Sequence, residues 1–356
     1  TLKGALEVAV GGSGVATFTP PQPDRGRFLT ATATAMVGGV PKSTSEISAC
    51  AAAAGTGAPK GAFTVDSTGD EPDANPGNGA CATAQSTCTL RAAIQESNVL
   101  PKRQTILFAL PGSGPFTIKP GTGGLPVVDR ALVIDGTSQP GAGLTPVVEI
   151  DGSNAGPNAD GLTFTDGKNV VRGLVINRFG GRGLVLRDKP KNVVQGNFIG
   201  TDVGGTLARG NGSDGIYLYS SEKNLIGGPA ENLGNLISGN GGHGVFFDTG
   251  SDGNVVVGNT VGTNLARTAA LPNAGSGMVF GLFSAKNVIG AAGFANVVSG
   301  NGGAGIALLR GAVKHKILGN LVGVDGDATA KIPNLVGIAL DDAPKNTIGE
   351  PETPNV

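Results

Sequence analysis

The sequence predicts an all-β chain wound as a β-solenoid, and two observations carry that prediction. The first is a short phrase, Asn followed by two or three aliphatic residues and then Gly-Asn, that keeps returning between residues 192 and 349. Asn192 and Asn254 lie 62 positions apart, Asn254 and Lys316 another 62, and the pairs Gly239-Asn240 and Gly300-Asn301 lie 61 apart. Each long period therefore holds two half-units of about thirty residues, a spacing typical of stacked repeats. The second is composition. Sixty-two of the 356 residues are Gly, far above the usual share of about 7%. They follow no Gly-X-Y period, which excludes collagen. They alternate with Val, Ile and Leu, so a core can still be buried.

Taken in order, residues 1–50 read as strands of a partial β-sandwich. LEVAV and VATFTP flank a GGSG turn, and RFLTATATAMV at 27–37 alternates with period two. So few strands cannot bury a core alone. The Ala- and Gly-rich stretch 51–62 reads as a linker. Residues 63–100 begin with a short strand and continue into an acidic loop rich in Gly, Pro and Asn. Within it Asp66, Asp70, Asp73 and Asn75 are candidate calcium ligands, because hard oxygen donors at alternating positions suit that ion. A loop merely solvated and pinned by a disulfide is the competing reading, and the spacing departs from the EF-hand loop. A helix is expected after Cys88, with Thr89 as N-cap and Leu90, Ala93, Ile94 and Ser97 on one face. Such a helix would cover the first open rung of a solenoid.

Cys81 and Cys88 lie close together in this loop, and a local bridge between them would point to an oxidising compartment. Separate buried thiols are the alternative. Cys50 is left over, either free or paired outside this chain.

The run Cys88-Thr89-Leu90-Arg91-Ala92-Ala93, within FTVDSTGDEPDANPGNGACATAQSTCTLRAAIQESN, resembles the signature of the CSLREA-type domain. Ala92 replaces the acidic residue of that name. The resemblance implies that right-handed parallel β-helix repeats follow, in a secreted or surface bacterial protein. GRFLTATATA with STSEISAC is similar to the end of the β-sandwich module found after such helices. The chain would then begin in the tail of one module and run into the next. It starts at Thr1 rather than Met, and is read as processed or as part of a longer protein.

Residues 101–356 are the predicted parallel β-helix. Strands of four to six residues with an apolar residue at every second place suit sheets buried on one face. Three strands per turn give a prism filled by Val, Ile, Leu and Phe. Each corner needs a sharp bend, for which Gly and Asn are suited. Asn at equivalent corners can also stack as a hydrogen-bonded ladder. That role falls to Asn192, Asn197, Asn240, Asn254, Asn259, Asn296, Asn301 and Asn320. The longest inserts, starting at Thr201, Thr263 and Val324, are the surface expected to meet a partner.

Candidate chemistry is sparse. Asp202 and Asp325 occupy equivalent places, but at ~4.8 Å per rung they stand roughly 20 Å apart, too far for a glycosidase pair. Asp341 and Asp342 are adjacent and would face opposite ways along a strand. Asp135 and Asp151 end successive strands and are the best acidic pair, although Asp-Gly there also reads as a turn. Arg172, Arg178, Arg182 and Arg187 gather beside Asp188, as a lyase base would require or as solvated outward positions. His243 and His315 show no metal-ligand spacing. A formal charge of −1 argues against nucleic acid and anionic membranes, and no apolar run approaches the ~20 residues of a membrane span.

The expectation is an extracellular or cell-surface structural protein, not an enzyme, without cofactor except possible calcium. It would associate end to end with copies of itself, since its open last rung offers an unpaired edge. A surface adhesin binding polysaccharide through the long loops, and a polysaccharide lyase or hydrolase, are the alternatives.

Overall fold

A computed structural model describes residues 61–230 and 232–356, and in the first sixty residues the strands Phe28–Leu29, Ala33–Val37, Val40–Ser45 and Ala51–Ala52. The chain divides into two units, residues 1–59 and 60–356. In the first, Ala33–Val37 pairs antiparallel with Val40–Ser45 through a bulge at Ala35/Met36, and Phe28–Leu29 pairs with Ala51–Ala52. The expected strands at 6–19 and Cys50 lie outside the described residues.

The second unit is a parallel β-helix of three sheets, with ten, eight and seven strands. From Leu132 onward the chain visits the ten-stranded, eight-stranded and seven-stranded sheets in turn and then begins the next rung. Register is strict, because a slip of one residue would turn the buried positions outward. On the ten-stranded sheet the buried column runs Phe63, Ile106, Ile134, Val171, Val194, Ile226, Val256, Ile289 and Ile317, and continues in register to exposed Ile348. The eight-stranded sheet stacks Ile118, Ile150, Ile176, Ile199, Ile237, Val261, Val298 and Val322. The seven-stranded sheet sends in two columns, including Phe247 stacked on Phe280 with ring centroids 4.5 Å apart. β-branched residues suit these positions, since they pack well on a pleated surface with little rotamer entropy to lose.

The helix Leu90–Val99 caps the first rungs. The Thr89 hydroxyl accepts from Ala92 N at 3.0 Å, and Leu90, Ala93 and Ile94 join Phe63, Val65, Ile106 and Phe108 in one continuous core.

The Gly-Asn phrase marks two different corners. In Gly196-Asn197, Gly258-Asn259 and Gly319-Asn320 the Gly turns the chain from the ten- to the eight-stranded sheet with φ of 61°, 70° and 62°. In Gly239-Asn240 and Gly300-Asn301 it turns the chain from the eight- to the seven-stranded sheet. Alternate rungs therefore make one of these corners tight and carry the insert at the other. This is why the sequence repeats over two rungs rather than one. The inserts 201–208, 263–270 and 324–331 each close with an antiparallel bridge, and they bond to one another: Leu265 N to Gly205 O at 2.9 Å, Gly326 N to Arg267 O at 3.2 Å. They lie along the eight-stranded sheet, where Val203 packs on outward-facing Val175, Phe198 and Leu236.

Candidate functional site

Three asparagine ladders, one at each corner, are the most extended polar feature of the molecule. The first passes from Asn169 to Asn192, Asn224, Asn254 and Asn287, each side-chain N–H reaching the next carbonyl oxygen at 2.8–3.0 Å. The second joins Asn197, Asn235, Asn259, Asn296, Asn320 and Asn355. The third joins Asn211, Asn240, Asn273, Asn301 and Asn334, every step 2.9 Å. Within a ladder most carbonyl oxygens also take a backbone N–H, as Asn254 does from Asn224. Corners that would strand buried amides are thereby satisfied. All eight asparagines assigned from the sequence stand in these ladders. The sequence reading passed over Asn169, Asn211, Asn224, Asn235, Asn273, Asn287, Asn334 and Asn355. An Asn before two aliphatics was the available signal for Asn224, Asn235 and Asn287, followed by Gly-Asn only after Asn235.

His315 occupies the next place in the first ladder. Its Nδ1 accepts from Asn287 N at 3.1 Å, and its backbone N–H donates to Asn346 Oδ1 at 2.8 Å. Burial lowers its pKa from 6.5 to about 4. His243 lies elsewhere, on the outer face of the seven-stranded sheet, where its Nδ1 accepts from Ser276 N at 2.9 Å.

That outer face carries the richest side-chain cluster. The Arg182 guanidinium lies 3.9 Å above the Tyr217 ring, and its Nε is 3.5 Å from Asp214 Oδ2. Tyr217 donates to Asp248 Oδ2 at 2.7 Å and meets Phe246 edge to face, as His243 does. Burial, with the Asp248 carboxylate beside it, pushes the Tyr217 hydroxyl up to about 12. A phenol so held keeps its proton, which suits a hydrogen-bond donor and not a general base. Apart from that of His243 with Phe246, each contact runs from one rung to the next.

The same is true of the other arginines. Arg172 bonds Asp135 and Arg178 bonds Asp151, both at 2.6 Å, in each case across to the preceding rung. Asp135 and Asp151 belong to one rung but end strands of different sheets, and each caps a 3-10 turn, through Thr137 N and Ser153 N. They do not form a pair. At Asp151 burial acts upward, but the bonds from Ser153 and the charge of Arg178 outweigh it and leave the pKa lowered. Asp202 and Asp325 stay inside their own loops, where each caps amides four residues on, Thr206 N and Thr329 N, as Asn264 does for Thr268 N.

In the cap, Cys81 and Cys88 form a disulfide. The acidic loop distributes its oxygens among separate partners. Asp66 accepts from Cys88 N, and Asp73 from Asn75 N and Ala82 N. Asp70 takes a two-pronged contact from Arg91, at 3.0 and 2.8 Å, and also Gly121 N. Buried Glu96 accepts from Gly77 N and Gly79 N. Among the described residues no three His, Cys, Asp or Glu side chains are grouped to hold a metal ion. The sequence reading missed Arg91 and Glu96 as the groups that organise this loop.

The right-handed β-helix region family matches residues 131–322, and the chain belongs to that family. Among solved structures it is similar to the Dettilon tailspike protein, at 18% identity over 73% of this chain and 58% of that one, with a TM-score of 0.36. It therefore spans less than two thirds of the tailspike chain. It is also similar to a periplasmic alginate epimerase, at 12% identity over 69% of this chain and 76% of that one. A mannuronan C-5 epimerase A-module from Azotobacter vinelandii is 15% identical over 75% and 93%; both epimerases have a TM-score of 0.39. Likeness at this level concerns the fold alone. No curated protein matches the sequence. No helix among the described residues is long and apolar enough to cross a membrane.

Proposed function

We propose that this chain is an extracellular structural module, a stiff β-solenoid rod that associates end to end with copies of itself. The observation that carries the reading is the unbroken stacking of the rungs: the inward columns of Leu308 and Ile317 continue in register to Leu340 and Ile348, and asparagine ladders tie each rung to the next. Apolar columns and strand edges of this kind form a template on which a further rung can stack. Strands from residues 28–52 of a second copy are the proposed donors, giving a head-to-tail contact. The cross-rung ladders and arginine clasps suit a part whose work is to stay straight. The Cys81–Cys88 bridge favours an oxidising compartment.

Sedimentation velocity over a concentration series tests this. The intact chain is expected to form larger species as concentration rises, and Leu340→Glu with Ile348→Lys to remain monomeric. A wild-type chain that stays monomeric throughout would refute the end-to-end contact.

A further inference from the structure

We propose that the corner entering the ten-stranded sheet is a binding rail for a linear acidic polysaccharide lying along the helix axis. The residue before each member of the first ladder has a left-handed backbone. It is Lys168, Lys191, Lys223, Lys286, Lys314 and Lys345, with φ between 57° and 66°, and Gly253 in the remaining rung. Left-handed geometry favours Gly or Asn over Lys. The backbone therefore gives no reason for lysine at six of seven positions. Packing gives none either, since all six side chains are exposed. Ion pairing accounts for one of them: of these six, only Lys223 has a carboxylate partner among the described residues, Glu222 at 2.7 Å. The ammonium groups themselves are what the six positions have in common.

The column is rigid. Lys168 N bonds Pro190 O, Lys191 N bonds Glu222 O, Lys223 N bonds Asp252 O and Lys286 N bonds Val313 O, at 2.9–3.1 Å, so each corner is fixed over the next. At ~4.8 Å per rung it extends roughly 29 Å. Carboxylates near this corner are largely committed. Asp166 accepts from Gly167 N, Asp252 from Ala285 N, and Asp342 pairs with Arg310. Asp188 and Asp341 remain. A net charge of −1 for the whole chain conceals this local excess of cations.

A single file of cations matches a chain carrying its charges in one line. Duplex DNA instead presents a charge every ~1.7 Å of its axis, and a single strand calls for aromatic stacking surfaces. The outward residues two positions beyond the lysines are aliphatic from Val170 to Val288. An anionic bilayer would engage a broad basic surface, and this is a line.

The test uses the whole chain and a linear polyuronate, with its methyl-esterified form as the uncharged control, by calorimetry at low and high salt. The acidic polymer is expected to bind at low salt and weaken as salt rises. Lys191→Gly/Lys286→Gly/Lys314→Gly should lose roughly tenfold or more in affinity without a lower melting temperature, because Gly suits these φ values. Gly253→Lys should strengthen binding several-fold; the Cβ position there meets only Lys223 Cγ, at 3.7 Å. No binding at low salt, equal binding of the esterified polymer, or an unaffected triple variant would overturn the proposal. Tighter binding of single-stranded DNA or of anionic vesicles would overturn the choice of polysaccharide.

Discussion

Asn287 gives its backbone N–H to Nδ1 of His315 at 3.1 Å, and this bond fixes the protonation of a fully buried imidazole. With Nδ1 accepting, the ring proton sits on Nε2, which faces Ser284 Oγ at 3.4 Å. A second proton would place two N–H groups head to head inside the ladder. Burial accordingly lowers the pKa from 6.5 to about 4.

The consequence for stability follows from linkage. Between these two values the unfolded chain binds more protons than the folded one, so stability falls as pH falls. The contribution of His315 is complete above pH 6.5 and is lost progressively down to about 4, a loss of about 3 kcal/mol. His315→Asn, which restores the ladder residue, should remove that part of the slope. Denaturant midpoints measured across the window for both proteins check this; identical slopes would contradict it.

Asn254 offers a test of the ladders themselves. Its carbonyl oxygen accepts from both the backbone and the side chain of Asn224, and its amide donates to Asn287. Asn254→Leu leaves buried donors without partners, at about 1–3 kcal/mol for each. Asn254→Ser should restore little, since its short arm cannot span a rung. A loss of about 2–4 kcal/mol in chemical denaturation is expected, and unchanged unfolding would count against the ladder as a source of stability.

What could be read from the sequence was whatever repeats at close range. The phrases around Asn192, Asn254 and Asn301 disclose the solenoid because the same corner geometry demands the same residues on every rung. His315 was hidden because a different side chain does the work of Asn there, and only the register of Lys316-Ile317 beneath Val288-Ile289 exposes the equivalence. The Arg182–Tyr217 contact was hidden for another reason. It joins neighbours on adjacent rungs whose sequence spacing depends on insert lengths, which vary from rung to rung. The lysine column was visible as a recurring Lys-Asn pair, but the reason it is unusual lies in φ, which the sequence does not display.

The disulfide allows a local prediction. Cys81 and Cys88 are separated by 7 positions, and closing so short a loop contributes about 2 kcal/mol through the unfolded chain. Cys88 is buried in the core under the helix while Cys81 packs at its edge. Reduction should therefore loosen the cap and leave the rungs intact. Hydrogen exchange is expected to quicken at residues 66–99 under reducing conditions and stay unchanged beyond residue 160. Uniform acceleration along the chain would show that cap and rungs unfold as one unit.

The contact between Arg91 and Asp70 gives the sharpest test of how the cap is held. Arg91 sits on the first turn of the helix and grips both carboxylate oxygens of Asp70, while one of its amino groups also reaches Gly124 O at 2.7 Å. Asp70 in turn accepts from Gly121 N at 2.7 Å. One guanidinium thus joins the helix, the acidic loop and the turn at 121–124. Side-chain exposures of 18% and 22% leave the pair partly screened, and its loss is expected to cost about 1–3 kcal/mol. Arg91→Lys should recover only part of this, because an ammonium cannot reproduce the planar fork. Arg91→Ala/Asp70→Asn should be less damaging than the two single losses added together, since each single change strands the same partner. A double-mutant cycle in thermal unfolding reads this coupling directly, and strictly additive losses would mean that the contact does not hold the cap.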